Sequence, residues 1–304
     1  MATHNGGRFV GEQLQSLCGQ THSDWSLWCS DDASSDETRD VLDDFRGQNP
    51  QRDIRVFEGP GKGSAANFLS LLDRPGATSG AIALSDQDDV WMPDRLERVL
   101  SCFQAAPAAP NGRVYASRTI LTDANLNPQT ESRRHLRPPS FGNALVQNIL
   151  AGNTIVADSN AAALLGRTAS AAYVSAHVAH HDWWIYLLAS GAGTEILIDD
   201  RPGVFYRQHS SNTMAAHRGV RQGLKRMQLI LNGEYASWID QNLSALDACR
   251  EELTSVNQGL LDSFSQWRNG PHRFGRPLPK NLGVHRQTRS GNALLSLMAL
   301  GKLV

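Results

Sequence analysis

The chain has 304 residues, of which 40% are hydrophobic and 19% charged, a length for about two domains at roughly 150 residues each and a composition that excludes general disorder. The formal net charge of -1, from 29 Lys and Arg against 30 Asp and Glu, excludes both a generally basic nucleic-acid coat and a strongly acidic solvating chain. Cys18, Cys29, Cys102 and Cys249 form no CxxC pair and no secretory signal opens the chain, so reduced thiols are expected, and no apolar run reaches the roughly 18 residues of a membrane span.

In chain order, Phe9, Leu14 and Leu17 fall at helical spacing within residues 9–18, ahead of a turn at 21–24. Residues 25–29 read as a short strand that stops at Ser30-Asp31-Asp32-Ala33-Ser34-Ser35-Asp36, a turn and helix-cap composition, and residues 37–45 supply the helix. Ile54–Phe57 is a second strand, 59–64 a glycine-rich loop, 65–72 a helix, and 81–84 a short apolar strand running into Ser85-Asp86-Gln87-Asp88-Asp89. Alternation of short strands and helices predicts an α/β parallel sheet, in which ligands sit beyond the carboxyl ends of the strands. Both acidic loops fall at such ends. Residues 100–215 read as more irregular, with an Arg- and Pro-rich loop at 133–139, a helix at 141–150, a strand at 153–157 and a helix from about 182. Beyond 216 the pattern predicts amphipathic helices at Arg221–Leu231 and Tyr235–Leu261, a Pro- and Gly-rich break at 269–283, and a last helix at 290–303.

The pattern Asp86-x-Asp88-Asp89 at a strand end is the sharpest local signal. Carboxylates one residue apart there can face one Mg²⁺ or Mn²⁺ and leave positions open for phosphate oxygens, although a solvated acidic turn has the same composition. The run Asp31-Asp32-x-Ser34-x-Asp36 lacks the Gly and Glu of a calcium loop, and 59–64 lacks the four-residue spacer of a phosphate loop. His180-His181-Asp182-Trp183-Trp184 opens an apolar helix, where Asp182 fits either a helix cap or a general base, and the two indoles fit either a core or a sugar-stacking face.

Six segments taken together resemble the inverting family-two glycosyltransferases, in particular their bacterial rhamnosyltransferase-like branch. They are Ala2-Thr3-His4-Asn5-Gly6, the segment from Glu12-Gln13-Leu14 to Gln20-Thr21, Ser30-Asp31-Asp32-x-Ser34-x-Asp36, Ser85-Asp86-Gln87-Asp88-Asp89-Val90-Trp91, His181-Asp182-Trp183-Trp184, and Tyr206-Arg207-Gln208-His209. The resemblance implies an α/β GT-A nucleotide-diphospho-sugar transferase fold, a Rossmann-like and mostly parallel sheet with its first strand truncated, followed by a helical C-terminal extension. Residues 1–100 would be its nucleotide-sugar-binding half, 101–215 its acceptor-binding half and 216–304 the extension. Met1 stands where the family's first strand should be ending, so a start lying upstream is expected.

Carried over by position, the resemblance places Thr3, Asn5, Asp31 and Asp32 at the base and ribose, Lys62 and Asn67 near phosphates or ribose, and Asp86 and Gln87 against the nucleotide sugar. Asp88 is the implied direct ligand of Mg²⁺ or Mn²⁺, and Arg207 and His209 approach the diphosphate and metal. Asp182 is the implied catalytic base, with Trp183 and Trp184 at the acceptor. The implied activity is metal-dependent transfer of a sugar, with rhamnose favoured, from a dTDP- or UDP-sugar to a glycan or lipid-linked acceptor in surface polysaccharide synthesis. Two alternatives stay open: a non-catalytic nucleotide-sugar-binding protein, and a phosphatase with Asp86 as nucleophile, since a strand ending in DxDxV also resembles the haloacid-dehalogenase phosphatases. The only lysines after that motif are Lys225, Lys280 and Lys302, all in the tail.

The overall charge conceals a gradient. Residues 1–215 carry 17 Lys and Arg against 24 Asp and Glu, a net of -7, and residues 216–304 carry 12 against 6, a net of +6. No acidic residue follows Asp262, whereas Arg268, Arg273, Arg276, Lys280, Arg286, Arg289 and Lys302 do, with six apolar side chains between Leu294 and Leu303. Such a tail suits either an anionic membrane surface on the cytoplasmic side or a helical appendage packed on the rest of the chain.

Overall fold

A computed structural model of the chain describes residues 1–304 apart from Ala106, Ala108, 210–226, 271–274 and Lys302. Arg273, Lys302 and the first six residues of the expected Arg221–Leu231 helix therefore lie outside the described residues, while 227–231 are helical.

The first half forms as its patterns predict. Helix α1 (Gly7–Cys18) turns Val10, Leu14 and Leu17 inward at spacings of three and four, and α2 (Thr38–Gln48) does the same with Thr38, Leu42 and Phe45. Strands β1 (Ala2–Thr3), β2 (Leu27–Asp31) and β3 (Ile54–Glu58) make an all-parallel sheet in that order, with Thr3 opposite Asp31 and Asp31 opposite Glu58. This register brings the ends of β1 and β2 and the glycine loop after β3 to one edge. Helix α3 (Ser64–Leu72) returns the chain to β4 (Ile82–Ala83), and the acidic loop leads into β5 (Val90–Trp91).

The described residues of 100–215 are more regular than their sequence suggests. Helix α4 (Arg95–Ala105), the ten-residue β6 (Arg113–Thr122), β7 (Pro128–Glu131), β8 (Val156–Ala157), α6 (Ser159–Ser170), α7 (His181–Gly191) and the thirteen-residue β9 (Glu195–Arg207) fill it, with a short α5 (Phe141–Ala144). The second sheet runs β4-β8-β6-β9-β5, with β7 on β6; β6 and β9 are parallel and the other pairs antiparallel. An Ala2 N–H to Ser85 carbonyl bond of 3.3 Å links the sheets where β1 meets the acidic loop. The long strands escaped the period-two pattern for physical reasons. Most of β6 is buried on both faces, and β9 carries Asp199-Asp200-Arg201-Pro202-Gly203, beside which the β6 register shifts.

Two other expectations are corrected. The helix expected at 141–150 stops at Ala144, because the Asn148 side chain bonds both the N–H and the carbonyl of Leu150 and closes a turn. The single helix expected at Tyr235–Leu261 is two, α8 (Glu234–Ala248) and α9 (Ser255–Asn269), because Thr254 caps the second through the Asn257 N–H and the Arg167–Glu252 ion pair holds the turn between them. The last helix, α10, spans Arg289–Leu300.

Side chains of α8, α9 and α10, among them Ile239, Leu246, Phe264, Leu295 and Met298, share one core with α3, α6 and α7. The C-terminal helices are thus a packed extension. A second, smaller core joins α1, α2, β2 and Trp91. All four cysteines are free.

Candidate active site

The site lies where the acidic loop meets the edge of the first sheet. Asp86, Asp88 and Asp89 each bring a carboxylate oxygen within 4.8 Å of the others'. Burial, with the Asp88 and Asp182 carboxylates adding repulsion, pushes Asp86 up to about 7. Asp89 is fully buried and also raised well above the carboxylate range, by burial first and then by Asp88 and Asp86. Its two oxygens are taken by the Asn153 side-chain amide and the Arg207 backbone N–H. Asp89 therefore holds the loop, and Asp86 and Asp88 are the carboxylates left to face a ligand.

At the end of β9, the His209 Nε2 lies 2.8 Å from Asp88 Oδ2 and its ring stacks on Phe9 at 4.8 Å. Crowded carboxylates beside an imidazole are a donor set that fits a divalent cation such as Mn²⁺ or Mg²⁺, with the nitrogen suiting Mn²⁺ better. A cation there would relieve the repulsion that raises Asp86.

Arg207 was expected at the diphosphate, and the structure gives it another place. It is 2% exposed, donates from Nε to the Asp88 carbonyl at 2.8 Å and from Nη1 to the Ala124 carbonyl at 2.7 Å, pairs through Nη2 with Glu12, and covers the Phe9 ring. It thereby fixes the backbone that carries Asp88. Arg95 is a further buried cation, and nothing in the sequence singled it out. It is fully buried over the Trp91 ring at 3.7 Å, and burial pushes it down to about 9 against the attraction of Asp89.

The edge of the first sheet supplies the other wall. Gln87 makes a two-point bond with the backbone of His4, accepting from its N–H and donating to its carbonyl, both at 2.8 Å. A Cβ on Gly6 would sit 2.1 Å from the Gln87 Oε1, so a larger residue there would push the Gln87 amide out of its pairing with His4. Asn5, at φ 46°, is exposed and accepts from the Ser35 N–H. Asp31 accepts from the Thr3 hydroxyl at 2.9 Å and the Ser34 hydroxyl at 2.6 Å. Asp32 accepts from the Gly61 and Gly63 N–H groups at 2.6 and 2.7 Å, which leaves Lys62 exposed at the tip of that loop.

Thr3 and Asn67 were expected to border the nucleotide, but they are 2% and 1% exposed. Asn67 donates to the Ser30 and Thr3 carbonyls, so both residues tie β1 and β2 together and act behind the surface. Asn5, Lys62 and Gln87 are the members of the expected set left on the open side.

Asp182 sits in the first turn of α7. Burial pushes its carboxyl up to about 6 against the pull of the Trp183 N–H, the Asn148 amide and the Gly152 N–H. Because its charge is one of those that raise Asp86, the two carboxylates are within each other's field. A Cβ on Gly152 would lie 2.7 Å from the His181 Nε2 and 3.4 Å from the Asp182 Cβ, so this glycine lets the chain pass against the helix start. His181 stacks on Phe68 at 4.1 Å and is kept neutral, with burial driving it down to about 3.

The stacking role expected of Trp183 and Trp184 is corrected: they are 4% and 0% exposed. Trp183 donates to the Ala144 carbonyl at 2.7 Å. They anchor the helix that presents Asp182, because an indole with both faces in the core has none left for a sugar.

Sequence reasoning gave no role to Asp89, although it lay inside the quoted motif. Glu12 stood in a quoted segment without a role, and Asn153, Phe9, Arg95 and Asn148 were missed, because the pairings are spatial: Asn153 is 64 residues from Asp89 and Glu12 is 195 from Arg207.

Comparison with known proteins bears on the family and the fold. The family model described as "Glycosyl transferase family 2" matches residues 1–164. The dTDP-rhamnosyl transferase RfbG of Shigella flexneri is 27% identical over 280 residues, covering 86% of this chain and 85% of that one. The UDP-Glc:alpha-D-GlcNAc-diphosphoundecaprenol beta-1,3-glucosyltransferase WfgD of Escherichia coli is 30% identical over 102 residues, 33% of this chain and 38% of that one. Among solved structures, S. aureus TarS 1-349 in complex with UDP superimposes with a TM-score of 0.51 at 13% identity, over 89% of this chain and 71% of that one, a likeness of fold alone.

Proposed function

The chain belongs to glycosyl transferase family 2 and is a rhamnosyltransferase-like glycosyltransferase of the GT-A fold; from that premise we propose that it moves a sugar from a nucleotide-diphosphate donor to a hydroxyl of a glycan or lipid-linked acceptor, with inversion, in surface-polysaccharide assembly. The observation that carries this reading is the meeting of the Asp86–Asp88–His209 group with Asp182, a separate carboxylate poised near neutral pH. The phosphatase alternative lapses with family membership.

Breaking a sugar–phosphate bond leaves negative charge on a diphosphate. A divalent cation held by Asp86, Asp88 and His209 would supply its neutralisation. Asn5, Lys62 and Gln87 would contact the nucleotide side of the donor, and Asp31 and Asp32 set the loops that present them. Asp182 takes the proton from the acceptor hydroxyl as that oxygen attacks the anomeric carbon from the face opposite the diphosphate. A single displacement of this kind inverts the configuration. The helix N-terminus favours the carboxylate form that a base needs, and burial sets its pKa near the working range.

The donor of choice is dTDP-rhamnose, by similarity to the Shigella flexneri relative, with UDP-sugars as the competing class. Lipid-linked acceptors place the reaction at the cytoplasmic face of a membrane, and no helix among the described residues is long and apolar enough to cross one.

Replacing Asp182→Asn should reduce transfer by roughly 10²–10⁴-fold, the usual contribution of a general base. Donor binding measured by calorimetry in Mn²⁺ should survive. Wild-type turnover in that variant would remove Asp182 from the chemistry, and a chain that binds donors but transfers to no acceptor would revive the non-catalytic alternative.

A further inference from the structure

Two basic segments far apart in sequence are brought to one place on the surface. The first is the loop 132–139 between β7 and α5, where Arg133, Leu136 and Arg137 are exposed and Leu136, at 82%, is the most exposed large apolar side chain among the described residues. The second is the segment entering α10, which carries Arg286 and Arg289. Gln287 clamps them together. It is buried, accepts from the Arg137 N–H at 3.1 Å and donates to the Arg137 carbonyl at 3.2 Å. Asn143 of α5 fixes the same segment by donating to the His285 carbonyl at 2.9 Å.

The acidic side chains beside this loop are already committed, Glu131 to Arg118 and Asp200 to Arg134. Among the described residues, Arg133, Arg137 and Arg289 have no carboxylate partner. Their charge is therefore uncompensated, and it surrounds an apolar tip.

Helix α10 continues the same character. Apart from Arg289 it contains no charged residue, and it buries Leu295, Met298 and Ala299 in the core. Arg289, Ala293, Leu297 and Leu300 are exposed and fall at spacings of four, four and three, which is one helix face. Leu297 is 66% exposed and Leu300 39%. Nothing in the described structure covers that apolar stripe, and its first residue is two positions from the Gln287 clamp.

We infer that Arg133, Leu136 and Arg137, together with Arg289, Leu297 and Leu300 of α10, form one docking surface that seats the protein on an anionic lipid bilayer. Charge complementarity selects the occupant. Uncompensated arginines meet lipid phosphates, whereas the exposed leucines enter the headgroup boundary, a pairing that a soluble polyanion does not need. The surface also adjoins the catalytic helix. Ser140, which ends the basic loop, accepts from and donates to the Tyr186 hydroxyl through its backbone, and Tyr186 lies one turn beyond Asp182 on α7. The inference deepens the proposed function, resting on its lipid-linked acceptor for purpose, while its test requires no acceptor and no turnover.

The full chain should co-sediment with vesicles containing phosphatidylglycerol and not with pure phosphatidylcholine, with binding that falls as salt rises. The triple variant Arg133→Gln, Leu136→Ser, Arg137→Gln should bind at least roughly tenfold more weakly, and Leu297→Ser with Leu300→Ser should weaken binding independently. All five positions are exposed, so the melting temperature and nucleotide-sugar binding should remain those of the wild type, and this separates failure of docking from failure of the transferase reading. Equal binding to neutral vesicles, no binding to either, or a triple variant that binds as the wild type does would overturn the inference. Retention on heparin without vesicle binding would reassign the surface to a soluble polyanion and overturn it equally.

Discussion

Asp182 shows how one carboxyl acquires its role from its surroundings. The N-terminal turn of α7 and three nearby donors favour the anion, yet burial outweighs them and leaves the group at about 6. As the proposed base, Asp182 must be ionised, so activity should be fully present above that value and lost as pH falls through it. With saturating metal, kcat/KM should show an acid limb with its midpoint near pH 6. A profile flat down to pH 4.5 would mean that another group takes the proton. Asp86 is higher, at about 7, because burial raises it and the Asp88 and Asp182 carboxylates add repulsion, and a bound cation would bring it down, which leaves the limb to Asp182. The sequence displayed both residues, since each lies in a compact motif. It did not display their protonation, which depends on burial.

Elements decide where those side chains point. The acidic loop is held between β4 and β5 by bonds to Asn153, by the Arg207 amide and guanidinium, and by the Gln87 pairing with the turn after β1. Helices and strands with one exposed face were readable from periodicity, as in α1, α2 and β3. The long strands β6 and β9 were not, because burial of both faces in β6 and an internal Asp-Asp-Arg-Pro-Gly run in β9 erase the pattern. The break between α8 and α9 makes the same point at a helix. Thr254→Ala should remove the cap of α9, cost about 1 kcal/mol, and lower the melting temperature by roughly 2–4 °C without changing transfer. An unchanged melting temperature would show that tertiary packing alone sets that boundary.

The whole molecule combines an acidic catalytic half with a basic extension that is folded into the same core. If Asp86, Asp88 and His209 hold the cation, Mn²⁺ should stabilise the native state by mass action, about 2.7 kcal/mol at a hundredfold excess over Kd. The matching rise in melting temperature should vanish in Asp88→Asn, and a rise of equal size in that variant would place the ion elsewhere. The amino-acid sequence by itself determined the α/β class, the two acidic loops at strand ends, the position of Asp182 at a helix start and the charge gradient, because each is written in residues close together along the chain. Only the tertiary structure decided that Thr3, Asn67, Trp183, Trp184 and Arg207 are supports, that Asp89 is held by Asn153, and that the basic loop at 133–137 joins the start of α10. Those outcomes depend on which surfaces are removed from water and on partners 28 to 195 residues apart, and local sequence carries neither.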